Sequence, residues 1–415
     1  MNTIFLTLSE IQNINDRDIY TDLMRKFRDE GHEVYIVTPR ERRDDRSTEM
    51  VKTDGVTLLY VKTLNVQRAN LVEKGIGTLL IQRQYINAIQ KYLRNVNFDL
   101  ITYSTPPITF TNVVKYLKKN NPQAISYLQL KDIFPQNAVD IGMFREKSIF
   151  NWYFRRKEIS LYNASDYIGC MSPANVDFVL RKNDFIDKSK VEVAPNSIEL
   201  REDLEPNQED QVLKEKDERY YIRKKYDLPA DRPIFIYGGN LGKPQGIDYL
   251  IKCLDVNKNR RDCYFIVVGS GTEYSKLEAW YRANTNIMDD TDKISVKLMK
   301  SLPKQDYDML VKYCDVGLIF LDHRFTIPNY PSRLLSYLKN KMPVICATDR
   351  NTDIGKIAED NGYGYWCESV NPEDFVALVD RMLTSDMKAM GEKGYQFLSQ
   401  NYLVEHTYNA IIKHF

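Results

Sequence analysis

Three clusters in this chain combine residue types and spacings that could do chemistry, and a fourth could meet a surface. Gly238, Gly239 and Gly242 fall close together, with Asn240 and Lys243 among them. Glycines so spaced let a phosphate approach backbone N–H groups, and a lysine beside them favours its negative charge. A glycine turn that serves packing alone is the plainer alternative. The second cluster is Tyr330-Pro331-Ser332-Arg333-Leu334, followed by Ser336. Ser332 suits a helix N-cap or first turn, and Pro331 blocks the helix from extending backward. The helix then points free N–H groups and its positive dipole end at whatever precedes it, and Arg333 adds a fork for a phosphate. The alternative is a capped helix with a solvated arginine. Third, Asp132 directly follows an apolar run, where its carboxylate could accept a hydroxyl proton or merely cap the next turn. Fourth, residues 149–157 join Trp152 and other aromatics to Arg155, Arg156 and Lys157, which suits either an anionic membrane surface or a core helix with a solvated end.

The elements that must position these residues follow from hydrophobic periodicity. Residues 234–237 are an apolar run of strand length, Pro244 stands at a first helical position, and Ile247, Leu250, Ile251 and Leu254 make one helical face. That is a strand, a glycine turn and a helix start. In the first half, strands are predicted at 4–8, 33–38, 56–61, 99–103, 125–130, 167–171 and 191–194, with helices near 17–30, 76–94, 107–119, 145–163 and 173–182. Residues 201–226 are densely charged and read as a linker or surface helix. The alternation then resumes, with strands at 234–237, 264–268, 294–298, 316–320, 344–347 and 364–366, and helices near 245–257, 272–284, 304–313, 332–340, 352–361 and 372–384. Alternating strands and helices predict parallel sheets covered on both faces. The expected architecture is α/β with two doubly wound Rossmann-like domains, 1–200 and 201–399. Ligands of such sheets bind at the carboxyl ends of the strands. Facing strand ends would make an interdomain cleft, with one substrate per domain. The mixed-charge stretch 38–46 reads as a mobile or simply wet loop.

With 415 residues, 43% hydrophobic and 28% charged, the composition is that of a globular protein with two cores. A net charge of +1 argues against nucleic acid as a partner. None of the six cysteines forms a Cys-x-x-Cys pair, so buried thiols in a reducing cytoplasm are expected. The four histidines show no ligand spacing, and no metal is expected. Residues 3–8 are too short an apolar stretch for a signal peptide, and no transmembrane window is found, so any membrane contact is expected to be peripheral. Ser9-Glu10-Ile11-Gln12-Asn13 stands where a dinucleotide dehydrogenase would carry Gly-x-Gly-x-x-Gly, which counts against that class.

Several segments in order resemble family 4 glycosyltransferases of the GT-B fold. In the second half these are Tyr237-Gly238-Gly239-Asn240-Leu241-Gly242, Val268-Gly269-Ser270-Gly271, Ser301-Leu302-Pro303-Lys304, and the stretch from Pro331 to Leu338 leading to Met342-Pro343-Val344-Ile345. In the first half they are the stretch from Leu130 to Val139, Ile168-Gly169-Cys170-Met171-Ser172-Pro173, and Pro195-Asn196-Ser197, which are similar to a branch of capsule and O-antigen enzymes that includes N-acetyl-L-fucosamine transferases. The resemblance implies a retaining transfer, without a metal cofactor, from a nucleotide sugar to a lipid-linked saccharide. It places the enzyme at the inner membrane face, and the terminal helix, 400–415, crosses back to the first domain. It implies a nucleotide-sugar site at Gly238, Gly239, Asn240, Gly242, Lys243, Gly269, Ser270, Tyr330, Pro331, Ser332, Arg333, Leu334 and Ser336. The chain departs from the family pattern. Pro328 and Ser336 stand where two glutamates are usual, and Asn240 and Gln245 stand where an arginine and a lysine are usual. Family members often use a histidine in the region of Asp132, and none stands here, which leaves Asp132 as the catalytic candidate. Two alternatives remain open: a non-catalytic nucleotide-sugar-binding partner in an assembly complex, and a GT-B epimerase acting on a UDP-sugar, which would need more acid/base histidines than this chain has.

Overall fold

The structure, a computed structural model, describes residues 1–65, 71–200, 208–285 and 294–415. The chain divides into two compact units, Met1–Glu199 with Tyr402–Phe415, and Leu200–Asn401. The charged residues Glu202, Asp203 and Glu205 of the expected linker lie outside the described residues.

The first unit runs β1 (Asn2–Leu6), α1 (Ile19–Asp29), β2 (Glu33–Glu41), β3 (Glu49–Thr53), β4 (Val56–Thr63), α2 (Leu71–Tyr92), β5 (Leu100–Ser104), α3 (Thr111–Asn120), β6 (Ile125–Leu130), α4 (Gln136–Asp140), α5 (Ile149–Ala164), β7 (Tyr167–Cys170), α6 (Pro173–Lys182) and β8 (Val191–Val193). The strands form one sheet ordered β3-β4-β2-β1-β5-β6-β7-β8, parallel except for the β3–β4 pair. Its central strands are buried along their length because helices cover both faces. Strand order reverses between β1 and β5, and Asp132 follows β6, the next strand over.

Two expectations are corrected here. The stretch 38–46 is not all loop: Pro39, Arg40 and Glu41 pair in register with Val61, Lys62 and Thr63, which lengthens β2. Arg40 is buried, lies 4.1 Å from the ring centroid of Tyr60 and pairs with Glu49 at 2.7 Å, so its charge is spent inside the sheet. The edge strand β3 was not foreseen either, because its residues are exposed and carry no apolar alternation.

The second unit runs α7 (Gln208–Lys225), β9 (Ile234–Asn240), α8 (Ile247–Asn257), β10 (Tyr264–Ser270), α9 (Tyr274–Thr285), β11 (Val296–Lys300), α10 (Lys304–Lys312), β12 (Val316–Phe320), α11 (Arg333–Lys339), β13 (Val344–Thr348), α12 (Ile354–Asp360), β14 (Gly364–Glu368), α13 (Pro372–Leu383) and α14 (Met387–Asn401). Its all-parallel sheet has the order β11-β10-β9-β12-β13-β14, so the winding reverses between β9 and β12. One large cluster, including Phe235, Tyr237, Phe265, Phe320 and Phe375, fills one face of this sheet.

The last helix, α15 (Val404–Ile412), belongs to the first unit, where the terminal segment was expected to return. Tyr408 meets Phe27 of α1 edge-on at 4.9 Å and bonds His32 Nε2 at 2.9 Å. His414 stacks on Tyr167 at 3.5 Å and lies 3.1 Å from the Glu192 carboxylate. All six cysteines are buried free thiols. No helix among the described residues is long and apolar enough to cross a membrane.

Candidate functional site

At a topological switch point the loops after two neighbouring strands diverge and leave a crevice. In the second unit these are the loops after β9 and β12; with the end of β9 and the start of α11, they carry most of the residues singled out by sequence. Gly238, Gly239 and Asn240 are the last residues of β9 rather than a turn beyond it, and they pair with Val268, Gly269 and Ser270 of β10. The three glycines have separate reasons. A Cβ on Gly269 would lie 2.0 Å from the Gly239 carbonyl oxygen, and one on Gly238 would meet the Tyr307 hydroxyl. Gly239 has φ +123°, a conformation side chains rarely adopt.

The helix start expected at Pro244 is displaced. Residues 243–245 form a single 3-10 turn, Gly246 takes the left-handed conformation, and α8 begins only at Ile247. Gln245 causes this. Its Oε1 accepts from Gly242 N at 3.1 Å and from Asn240 Nδ2 at 3.0 Å, closing the loop on itself. Asn240 and Gln245 are thus used on each other. Lys243 is exposed.

Of the two roles expected for Ser332, the structure shows the first-turn one. The serine has helical dihedrals (φ −62°, ψ −17°) and makes no side-chain cap bond; its carbonyl accepts from Leu335 N, so it is a first-turn residue. Arg333 is half-buried rather than fully solvated. Its guanidinium lies 4.3 Å from the ring centroid of Tyr237, and Nη2 lies 3.4 Å from the point where a Gly239 Cβ would stand. Nη1 is buried and has no hydrogen-bond partner among the described residues. The floor beneath is fixed by Tyr337, whose hydroxyl accepts from Gly238 N at 3.3 Å and lies 3.2 and 3.4 Å from the carbonyl oxygens of Ile236 and Leu318. Tyr307 stands beside it, its hydroxyl pushed up to about 12 by burial although Arg333 opposes the shift. A cation with one nitrogen shut away and no carboxylate beside it carries a desolvation cost that a bound anion would offset. The arrangement is chemically suited to take an anionic group between the end of β9 and the start of α11. Tyr330 and Leu334 are buried and anchor the segment, Pro331 and Ser336 are half-buried, and Ser332 is exposed.

Sequence reasoning missed Asp349, which follows β13 and is fully buried. It accepts from the backbone N–H groups of Asn351 and Thr352 and from Thr352 Oγ1, all at 2.8 Å. Burial nonetheless pushes its carboxyl up to about 6. The spacing Asp-x-Asn-Thr after a strand is an Asx-turn signal that could have found it.

In the first unit, Asp132 stands just past the carboxyl end of β6. Its backbone N–H and that of Lys131 both donate to Thr105 Oγ1 at 3.0 Å. Its Oδ1 accepts from Asn137 Nδ2 of α4 at 2.5 Å. Burial drives its carboxyl up to about 6, against the pull of Asn137 and the Ile133 amide. Lys131, missed in the sequence reading, donates to the carbonyls of Ala194 and Pro195 at 3.3 Å each, and burial brings it down to about 7. The Asp132–Asn137 bond also draws α4 onto the strand end, so the turn-cap role is present alongside any chemical one.

Along α5, Ile149, Phe150 and Trp152 are exposed, as is Met143 just before it. Only the inner side is covered: Phe134, Phe144 and Phe154 stack together, and Arg156 lies 4.1 Å over Trp152. The helix is thus buried at Leu161 and Tyr162 and solvated at its start, as the core-helix alternative has it, with three large apolar side chains left exposed there.

Residues 20–202 match the model of Glycosyltransferase Family 4, and residues 218–397 match that of Glycosyl transferases group 1. The chain is 21% identical over 277 residues to a probable glycosyltransferase, WbjE, of Pseudomonas aeruginosa, a match covering 66% of this chain and 64% of that protein. It is 26% identical over 161 residues to a putative colanic acid biosynthesis glycosyl transferase, WcaI, of Escherichia coli K12, covering 38% and 36% of the two chains. The matched stretches thus span less than two thirds of either relative. An E. coli structure described as trehalose-6-phosphate bound with UDP-2-fluoro glucose superposes with a TM-score of 0.73 at 11% identity, covering 99% of this chain and 98% of that one.

Proposed function

We propose that this chain, whose first half matches Glycosyltransferase Family 4 and whose second half matches Glycosyl transferases group 1, is a GT-B glycosyltransferase that moves a sugar from a nucleoside diphosphate sugar to a lipid-linked saccharide in capsule or O-antigen polysaccharide synthesis. The donor in this reading is UDP-linked, with UDP-N-acetyl-L-fucosamine as one candidate. The observation that carries it is Arg333, a half-buried arginine whose buried Nη1 has no partner among the described residues, held against Gly239 at the switch point. That is where a diphosphate would balance it.

In this reaction the acceptor hydroxyl oxygen bonds to the anomeric carbon while the bond from that carbon to the diphosphate breaks. UDP leaves with the electron pair. Arg333, Lys243 and the amides of the glycine segment would offset the charge that grows on the leaving diphosphate, an electrostatic form of catalysis. Asp132 would receive the acceptor proton, its raised pKa suiting a base that works near neutral pH. Retention at the anomeric carbon is what the family resemblance supports. No step here calls for a metal. The acceptor's lipid tail fits with the exposed Ile149, Phe150 and Trp152 beside Arg156 on α5, which would seat the first unit on an anionic inner membrane face.

Incubating the full chain with UDP-sugars and following UDP release, with and without a polyisoprenyl-diphosphate saccharide, tests the proposal. Acceptor-dependent release is expected. Tight UDP-sugar binding with no release under any acceptor would favour the second reading, a binding partner without catalysis. The residues that favour it are Pro328 and Ser336, which place no carboxylate beside the donor segment. Flotation with liposomes tests the membrane part. Anionic vesicles should carry the protein up more than neutral ones, and Phe150→Ala with Trp152→Ala should abolish the difference. Equal flotation with both would remove it.

A further inference from the structure

The segment that delivers Arg333 has little regular structure of its own. Between the end of β12 and the start of α11, residues 321–332 form a crossing whose shape rests on contacts made elsewhere. Leu321 N donates to Ala347 O at 3.0 Å and Asp322 N to Pro244 O at 3.0 Å, which fix its beginning. Its later part is tied to the turn after β13. Asn351 Nδ2 donates to Phe325 O at 2.7 Å, and Asn329 N donates to Thr352 Oγ1 at 3.0 Å. Thr352 Oγ1 in turn donates its proton to Asp349 Oδ2 at 2.8 Å. The other carboxylate oxygen, Oδ1, accepts from Asn351 N and Thr352 N and so orients both side chains. A fully buried carboxylate thus reaches the crossing through two neutral side chains, and touches neither Arg333 nor Gly239. Asn329 is bonded four residues before Arg333, with the buried Tyr330 in between.

We propose that Asp349 and Thr352 are positioning residues for the donor diphosphate: they clamp residues 325–332 so that the Arg333 guanidinium is held at Gly239. The inference rests on the diphosphate reading above and deepens it. The Thr352 hydroxyl is the joint, since it is the only group that both accepts from the crossing and donates to Asp349 among the described residues. A cation needed at a fixed place must have its backbone fixed too, because a displacement of about 1 Å at a reacting group can cost about a hundredfold.

Three forms of the full chain test this: unmodified, Thr352→Val and Thr352→Ser. Thr352→Val keeps the shape and removes both hydrogen bonds of the joint; Thr352→Ser restores them. UDP affinity is read by calorimetry, backbone opening by amide hydrogen exchange, and folding by thermal melting. Thr352→Val should weaken UDP binding about tenfold or more and speed exchange in peptides covering 325–335, while peptides covering β9 stay unchanged. Thr352→Ser should return both readings to normal. In an Arg333→Met background Thr352→Val should add no further loss, since the clamp acts through Arg333. Should Thr352→Val fail to melt cooperatively, Asn351→Ala, which cuts only the bond to Phe325, takes its place with the same expectations. UDP binding by the unmodified chain that is matched within twofold by the variant overturns the inference. A loss that is equally large in the Arg333→Met background also overturns it. Absence of UDP binding by the unmodified chain overturns the diphosphate reading itself, a separate result.

Discussion

Arg333 and Lys243 carry the same charge in the same unit, and their surroundings give them different weights. Lys243 is exposed, so water and salt screen it. Arg333 is half-buried and stacked on Tyr237, with Nη1 shut away from any partner among the described residues, so its charge is screened less. Sequence could nominate both but not rank them, because the burial of Arg333 depends on tyrosines brought in from β9 and α10. The same holds for Asn240 and Gln245, whose mutual bond appears only once the turn has closed. Asp132 is where a titration can be predicted. Its carboxyl is raised to about 6 by burial, so the ionised, proton-accepting form fills in as pH rises through about 6. The rate of transfer is expected to rise across that range and then level. Asp132→Asn should lower turnover about a hundredfold or more. It should remove the limb near pH 6 and leave UDP affinity unchanged. Initial rates between pH 5 and 8 check this; near-normal turnover with an intact limb would reject the base role. The stability effect has the opposite sign to the rate effect. A carboxyl raised in the folded state favours folding fully below its unfolded value, near 4, and that contribution is lost as pH rises through about 6.

At the scale of elements, the sequence was most legible where a long apolar period met its breaker. β9, β10, β12 and β13 are buried runs whose placement along the chain followed from their apolar stretches. Their ends were less legible. β9 runs three residues further than its apolar part because Gly238, Gly239 and Asn240 still pair with β10. α8 starts late because Gln245 closes a separate turn first, and α11 starts without a serine side-chain cap because Ser332, just before it, already has helical dihedrals. The glycine segment yields a prediction of its own. Gly239→Ala must hold a side chain at φ +123°, with its Cβ 3.4 Å from Arg333 Nη2. Such backbone strain costs about 1–3 kcal/mol. The expected outcome is a lower melting temperature together with weaker UDP binding, whereas Gly31→Ala, at φ +82° and with open space around its Cβ, should lower stability alone. Thermal melts and calorimetry on the two variants decide it; equal UDP affinity in both would separate Gly239 from the site.

For the whole molecule, the two-sheet architecture and the return of the terminal helix to the first unit were expectations that the structure meets. The first rests on the alternation of strands and helices, the second on the resemblance to GT-B glycosyltransferases. What holds the terminal helix was not legible, because His32, Tyr167 and Glu192 lie far from it in sequence. Tyr408→Ala removes the ring that Phe27 packs against and the partner of His32. A loss of about 3–5 kcal/mol is expected, the usual range for a large buried aromatic. Urea unfolding followed by first-unit hydrogen exchange reads it, and a change below about 1 kcal/mol would mean that α15 is held elsewhere.

The central claim is that Arg333 holds the diphosphate of a nucleotide sugar at the end of β9. Calorimetry of UDP binding to the full chain, unmodified and as Arg333→Met and Lys243→Ala, tests it most directly, with ADP and GDP as comparison ligands. The account predicts that UDP binds best, that Arg333→Met weakens it by about 1.5–3 kcal/mol as the loss of a charged hydrogen bond, and that exposed Lys243 contributes under about 1 kcal/mol. Unchanged UDP affinity in Arg333→Met, or no binding of any nucleotide to the unmodified chain, would contradict it.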